Sequence, residues 1–124
     1  MKILLVEPNR QPVVREIDGS LESMQQVVGG LIEAIYPFED AVALVCNEEG
    51  KLCGLPYNRA LRDRDGHVYD VVAGTFFLCG APPDSDRFTD LTEEQIETYT
   101  RIYEKPECFL SNGVRVLLVR ERGC

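Results

Sequence analysis

The apolar residues of this chain fall into short runs separated by turn residues, and only two stretches place them at helical spacing. The runs KILLVEP (2–8), AVALVCN (41–47) and HVYDVVAGTFFLCG (67–80) are typical of strands. The pair Asp65-Gly66 predicts a hairpin turn, because both residue types tolerate positive φ. The order of the runs, β-β-α-β-β-β-α-β, predicts one α+β domain over residues 1–124, with a mostly antiparallel sheet of about five to six strands covered by two helices.

Both predicted helices carry end signals. The first begins after an N-cap at Ser20 or Asp18 and ends at Gly29-Gly30. The second begins with a capping box formed by Thr92 and Gln95. The residues predicted to form the buried faces are Leu21, Met24, Val27 and Val28 on the first helix, and Ile96, Tyr99, Ile102 and Tyr103 on the second.

The longest strand-like run raises two further expectations. Gly74 inside it indicates a bulge, or a group that lies close to the backbone. Strand alternation lets only one of Phe76 and Phe77 face the core. A last run, VRVLLVRE (114–121), predicts the closing strand of the sheet.

The net charge limits the classes of partner that the chain is expected to bind. It has 21 acidic against 13 basic residues and a net charge of −8. Nucleic acids and anionic membranes are bound by clustered Lys and Arg, so neither is an expected direct partner. The sequence has no signal-peptide pattern and no apolar stretch of the ~20 residues that a spanning helix needs, which predicts a cytoplasmic protein.

Metal, cofactor and catalytic motifs are not apparent in the sequence. His67 is the only histidine. The cysteines are odd in number and form no CxxC motif: Cys46, Cys53, Cys79, Cys108 and Cys124. This pattern predicts free thiols, no metal site and no cofactor. There is no P-loop, and no nucleophile motif accompanies His67, so a non-enzymatic protein is expected.

The segments IDGSLESMQQVVGGLIEAIYPF and ALVCNEEGKLCGLPYNRALRDRDGHVYDVVAGTFFLCG carry a resemblance to a known family. Over roughly residues 2–80 the chain resembles a domain-of-unknown-function family of small proteins from bacteria, phages and mobile elements, and the most specific piece is CNEEGKLxGLPxNRAL…YDxxAGTFF. The resemblance implies an accessory role such as counter-defence, which for a phage-encoded protein places it in the host cytoplasm. It carries over no catalytic residues.

The stretch GLPYNRALRDRDGHVYD (54–70) concentrates Arg59, Arg62 and Arg64 in an otherwise acidic chain. Either these arginines pair with acids such as Asp63 and Asp65 to fix a turn, or they converge on a recess that holds an anion. The second alternative predicts a protein that sequesters a small anionic, nucleotide-like ligand, such as an immune signalling molecule, and that forms a homo-oligomer. The candidate ligand-binding residues are Tyr57, Asn58, Arg59, Arg62, Tyr69, Gly74 and Thr75.

A second hypothesis rests on residues 84–97, which contain six acidic residues against Arg87 alone. Acidic residues at the start of a helix are common, because they interact favourably with its dipole. The same surface would also imitate a phosphate backbone, which predicts an acidic inhibitor of a host nucleic-acid-binding or defence enzyme. A small enzyme of unknown chemistry is the third alternative.

Overall fold

A computed structural model describes residues 1–111 and 116–121, and the side chains of residues 1–110. The elements in chain order are β1 (Lys2–Val6), β2 (Val13–Glu16), α1 (Leu21–Val28), β3 (Ile32–Ile35), β4 (Val42–Asn47), β5 (Tyr57–Arg62), β6 (Val68–Ala73), β7 (Phe76–Gly80), α2 (Glu93–Tyr103), β8 (Glu107–Ser111) and β9 (Val116–Glu121). The predicted α+β class is confirmed. Of the predicted closing strand, Val114 and Arg115 lie outside the described residues, as does Cys124.

The central sheet has five strands in the order β2-β1-β7-β4-β3, and every neighbouring pair is antiparallel. Two hairpins, β5–β6 and β8–β9, form separate two-stranded sheets. The hairpin turn predicted at Asp65-Gly66 joins β5 to β6. Strand β8 was not predicted, and β6 and β7 were predicted as one continuous run.

Both faces of the central sheet are covered, and this decides which strand residues are buried. On one face α1 packs against a cluster that includes Ile3, Val45 and Phe77. On the other face α2 and the β5–β6 hairpin pack against a cluster that includes Leu4, Leu44 and Phe76. The expectation that only one of the two phenylalanines faces the core is therefore wrong, because each side of β7 has a core of its own.

The helix ends follow their local sequence signals. Ser20 is the N-cap of α1, and Gly29 ends it in the left-handed conformation with φ 79°. In α2 both hydrogen bonds of the Thr92–Gln95 capping box are present. The predicted faces are correct for the tyrosines of α2 and for Met24 and Val28 of α1. They are wrong for Leu21 and Ile102, which are 55% and 57% exposed and belong to neither core cluster.

Gly74 separates β6 from β7 at a sharp corner with φ 84°. A Cβ at this position would lie 2.7 Å from Cδ1 of Leu55, so Leu55 would have to shift, and the positive φ strains any residue with a side chain. The Gly74 N–H donates to the carbonyl oxygen of Pro56 at 2.7 Å. The corner folds the β5–β6 hairpin back over the central sheet, and the close approach predicted at this glycine is confirmed.

Candidate functional site

Arg59, the first arginine of the cluster, points into the protein and is 0% exposed. Its Nη2 donates to the carbonyl oxygens of Tyr103 at 2.8 Å and Arg10 at 2.7 Å. Its Nη1 donates to Oδ1 of Asn58 at 2.8 Å. Acceptors of the protein itself hold the guanidinium group, which is not presented to solvent. Its burial lowers its pKa.

The neighbouring Asn58 is also fully buried and completes this network. Its Nδ2 donates to the carbonyl oxygens of Val6 and Gly74, each at 2.9 Å. The Asn58–Arg59 pair thus ties the end of β1, the β1–β2 turn, the β6–β7 corner and the C-terminal end of α2 to β5. Each of these acceptors is a backbone carbonyl that needs a partner when it is buried.

The other two arginines bind carboxylates in different places. Arg62 Nη2 donates to Oε2 of Glu107 at 2.9 Å, and Oε1 of the same buried carboxylate accepts the Ala60 N–H at 3.1 Å. Arg64 forms an ion pair with Glu39, and both side chains are exposed. The expectation that the guanidinium groups converge on one recess is wrong, because each has its own partner in a different element.

The predicted acidic partners of the arginines serve the hairpin turn instead. Oδ1 of Asp63 accepts the backbone N–H groups of Asp65 and His67, each at 2.9 Å. Ligand atoms of these three exposed side chains lie within 4.8 Å of one another, the one such grouping among the described residues. Because Asp63 already accepts two hydrogen bonds, we interpret the group as the closure of a tight turn.

The remaining candidate residues lie apart from one another. The Tyr57 ring packs against Phe109 with centroids 5.9 Å apart, and Tyr69 is exposed on β6. Thr75 opens into a concavity beside Ile3 and Val27, on the face of the sheet opposite the β5–β6 hairpin. The structure does not gather the seven candidates around a common cavity, and ligand binding by any of them stays a prediction.

Two adjoining concavities, of about 440 and 870 Å³, lie along the β7–α2 connection. This connection passes the ends of strands β4, β7 and β1. They share the wall formed by Asp86, Arg87 and Phe88. Glu39 and Asp40 line the first concavity, and Asp18 and Asp90 line the second. We use the name acidic face for the carboxylates that line the two concavities together with the exposed carboxylates of the β7–α2 connection and of the first turns of α2. Its residues are Asp18, Glu39, Asp40, Asp84, Asp86, Asp90, Glu93, Glu94 and Glu97. Glu39 is paired with Arg64 and Glu97 with Arg101.

Several contacts fix the acidic face. Asp40 accepts hydrogen bonds from Gln95 Nε2 and from the Tyr99 hydroxyl, each at 3.3 Å. Burial, with the Asp40 carboxylate beside it, raises the pKa of Tyr99 to about 12. Oδ1 of Asp90 accepts the Lys2 N–H at 2.8 Å, which holds the start of α2 against β1.

At the other side of the face, hydrogen bonds from the side chain and backbone of Ser20 lower the pKa of Asp18 to about 2. Sequence reasoning found residues 84–97 but missed Asp18, Glu39 and Asp40. No local pattern connects those three positions to the segment, and only the folding of the chain brings them to it.

The described cysteines Cys46, Cys53, Cys79 and Cys108 are free thiols, as predicted. Cys46 lines a third concavity of about 340 Å³ together with Glu33, Lys51 and Asp70. Burial raises the pKa of Cys46 to about 11 and that of Cys79 to about 12. Both thiols are therefore protonated at neutral pH, a state in which sulfur is a poor nucleophile.

The family model described as a domain of unknown function, DUF3846, matches residues 1–104. The chain belongs to the DUF3846 family. The match extends beyond the segment 2–80 that carries the resemblance, so it includes α2 and the whole acidic face. Glu107, which binds Arg62, lies outside it. No curated protein and no solved structure matches the chain. Among the described residues no helix has the length and apolar character needed to cross a membrane.

Proposed function

We propose that the chain is a binding protein, without chemistry of its own, that places its acidic face on the nucleic-acid-binding surface of another protein. The observation that supports this most directly is the shared wall at Asp86–Phe88. Around it two concavities bring together five carboxylates, those of Asp18, Glu39, Asp40, Asp86 and Asp90, and the guanidinium of Arg87. Glu39 is also paired with Arg64.

The chemistry of the partner follows from this arrangement. Surfaces that bind nucleic acid present Lys and Arg to phosphate oxygens, and the same side chains form strong charge-assisted hydrogen bonds with carboxylates. The first concavity also has aromatic walls, because Tyr36, which is 63% exposed, and Phe88 line it. A basic side chain entering there would meet carboxylates and ring faces together, and both attract a cation.

The accessory role that the family resemblance implies narrows the partner class. A phage or mobile element gains from blocking a host enzyme that recognises nucleic acid, and occupation of its binding surface requires affinity alone. The partner we propose is therefore a basic, nucleic-acid-binding defence enzyme of the host.

Sequestration of a small anionic, nucleotide-like ligand at the arginine cluster gains no support from these contacts and stays a prediction. A thermal-shift screen with linear and cyclic nucleotides tests it, because a ligand that binds only the folded state raises the melting temperature. Arg62→Ala is the informative variant in that screen. It loses a partly exposed ion pair with Glu107, whereas Arg59→Ala loses several buried hydrogen bonds. In either variant, binding is read as the difference between the melting temperatures with and without the nucleotide.

The acidic-face proposal is tested by co-purification from nuclease-treated host extract with two charge-matched variants. The face variant carries Glu93→Lys and Glu94→Lys, and the control carries Glu48→Lys and Glu49→Lys in the exposed turn after β4. Both change the net charge by the same amount, so a general charge effect acts on both equally. We expect the face variant to lose a salt-sensitive partner that the control retains.

The captured partner is then challenged with duplex DNA and with RNA. Nucleic acid that shares the binding surface must displace the protein. A partner that both variants retain equally, or that nucleic acid does not displace, contradicts the proposal. A nucleotide-induced thermal shift that Arg62→Ala abolishes would instead favour sequestration.

A further inference from the structure

Strand β2 has apolar side chains that the described part of the molecule does not cover. It lies at the edge of the central sheet, and all four of its residues are exposed. Val13 and Val14 are 42% and 45% exposed, and neither belongs to the two core clusters. A strand edge with free backbone groups and exposed valines is a surface on which another strand can pair.

The hydrogen bonds between β1 and β2 show which backbone groups face outward. Met1 and Ile17 exchange two of them, the Met1 ammonium donating to the Ile17 carbonyl and the Ile17 N–H donating to the Met1 carbonyl. In an antiparallel pair such residues alternate along each strand. Val13 and Arg15 therefore also direct their backbone groups toward β1, whereas Val14 and Glu16 direct theirs to the open edge.

We propose that β2 is a dimerisation edge, on which β2 of a second copy of this chain pairs antiparallel, with Val14 of each copy opposite Val14 of the other. A two-fold axis perpendicular to the sheet produces this pairing and joins the two central sheets into one. Val14 exchanges two backbone hydrogen bonds with its counterpart. The Glu16 N–H of each copy donates to the Pro12 carbonyl of the other. Proline can take this position because it has to supply only its carbonyl oxygen.

Backbone groups and charges on β2 together select this register. The opposite shift, toward Pro12, pairs Val14 with a proline that has no N–H and pairs Glu16 with Arg10, whose N–H and carbonyl are already bonded to Glu7 and Arg59. Shifting the pairing by two residues toward Glu16 places Val14 opposite Glu16 and keeps the same backbone groups outward, but it sets Arg15 directly opposite Arg15 of the second copy. Like charges directly opposite each other on a sheet are destabilising. In the proposed register Arg15 lies opposite Val13, and Glu16 lies opposite Pro12, two residues from the exposed Arg10. The Glu16 carboxylate also pairs with the Met1 ammonium of its own copy at 3.6 Å. Symmetry makes two approaches of Glu16 to Arg10 of the other copy.

The other open edge of the sheet, β3, has less apolar surface to offer. Ile32 and Ala34 of this strand pack against the α1 side of the core, and Ile35 packs against the opposite cluster. Its side chains therefore already have partners within the monomer, which distinguishes β3 from β2. Pairing of β2 with itself also closes at two subunits, whereas pairing of β2 with β3 would continue into a filament.

Sedimentation equilibrium of the full chain, measured over a concentration series, tests this inference. Val14→Pro removes the outward N–H and leaves the bonds to β1 in place, so the fold is retained. We expect it to weaken dimerisation at least about thirtyfold, since two backbone hydrogen bonds are lost. Val14→Lys is also expected to weaken dimerisation, because it places two positively charged side chains opposite each other. Val14→Thr is the control, and we expect it to keep the dimer.

A charge exchange tests the register itself. Glu16→Arg is expected to weaken the dimer, and the double variant Arg10→Glu with Glu16→Arg is expected to restore it. A chain that stays monomeric up to its solubility limit overturns the proposal. A dimer that survives both Val14→Pro and Val14→Lys overturns it as well and directs attention to β3.

Discussion

Arg59 on β5 donates a hydrogen bond of 2.8 Å to the carbonyl oxygen of Tyr103, the last residue of α2. The two residues are 44 positions apart in sequence, and both are buried. The carbonyl groups of the last helical turn lack partners within the helix and carry its negative dipole end. A guanidinium group supplies both the missing donors and a positive charge at this helix end. The nearby Glu107 carboxylate adds a favourable charge interaction with Arg59.

Arg59→Ala is expected to lower the free energy of unfolding by about 2–4 kcal/mol, because it leaves buried acceptors at Asn58 and Tyr103, and the partly buried carbonyl of Arg10, without this donor. Arg59→Lys keeps one donor group and loses less. Chemical denaturation measures both variants. The control is Arg64→Ala, which removes an exposed ion pair and is expected to change stability by at most about 0.5 kcal/mol. Equal effects at the two positions would contradict the structural role of Arg59.

Gly50→Ala is expected to destabilise the protein by about 1–3 kcal/mol, since overpacking forces the backbone to shift. A Cβ at Gly50 would lie 2.6 Å from the carbonyl oxygen of Ala73, an atom that cannot move without disturbing the end of β6. The thermal midpoint of the variant measures the loss. Leu52→Ala in the same turn is the control, because that side chain is 89% exposed. A Gly50→Ala protein as stable as the control would show that the approach to Ala73 is looser than described.

Glu107 joins β8 to β5 through both carboxylate oxygens, one accepting the Ala60 N–H and the other accepting from Arg62. Glu107→Ala is expected to cost about 2–3 kcal/mol, because it leaves a buried N–H without an acceptor. Glu107→Gln keeps that acceptor and is expected to cost about 1 kcal/mol. A double-mutant cycle with Arg62→Ala, measured by denaturation, isolates the ion pair. A coupling near zero would assign the effect of Glu107 to Ala60 alone.

Stability is expected to fall at alkaline pH, partly through Cys79. Burial raises the pKa of this thiol from 9.0 to about 12 in the folded protein. The unfolded chain therefore releases this proton first, and the stabilisation present below pH 9 is lost as the pH rises toward 12. The loss is about 1.4 kcal/mol per pH unit for one such group. Denaturation at pH 7, 9, 10 and 11 should show a shallower decline for Cys79→Ala. Parallel declines would refute the assignment to this thiol.

Features with a local physical cause could be predicted from the sequence. The capping box of α2 depends on Thr92 and Gln95, which are three positions apart and meet in any helix that begins there. The hairpin at Asp65-Gly66 likewise depends on turn chemistry within a few residues. The α+β class followed from the order of such local signals.

Burial of the strands depended on what packs over them. Phe76 and Phe77 point to opposite faces of β7, and both are buried because both faces of the sheet are covered. The alternation of residues along a strand does not show whether its second face is covered. The β5–β6 hairpin supplies one of those covers by folding back at Gly74. Nothing within the run 67–80 specifies that this cover exists.

The arginine cluster shows the same limit for charge. Arg59 and Arg62 are three residues apart, yet one binds backbone carbonyls in the interior and the other binds a carboxylate on β8. The acceptors of Arg59 include the carbonyl of Arg10, 49 positions away. The residues near Arg59 in sequence do not reveal which distant backbone carbonyls will accept its hydrogen bonds.

The sequence by itself determined the positions of the helix ends and most of the strands, and the excess of negative charge. These follow from interactions between residues close in the chain, or from composition. Only the tertiary structure decided that Arg59 turns inward and that Asp18, Glu39 and Asp40 join residues 84–97 on one acidic face. Both outcomes depend on contacts between residues far apart in sequence, which form when the sheet and its two covering layers pack together.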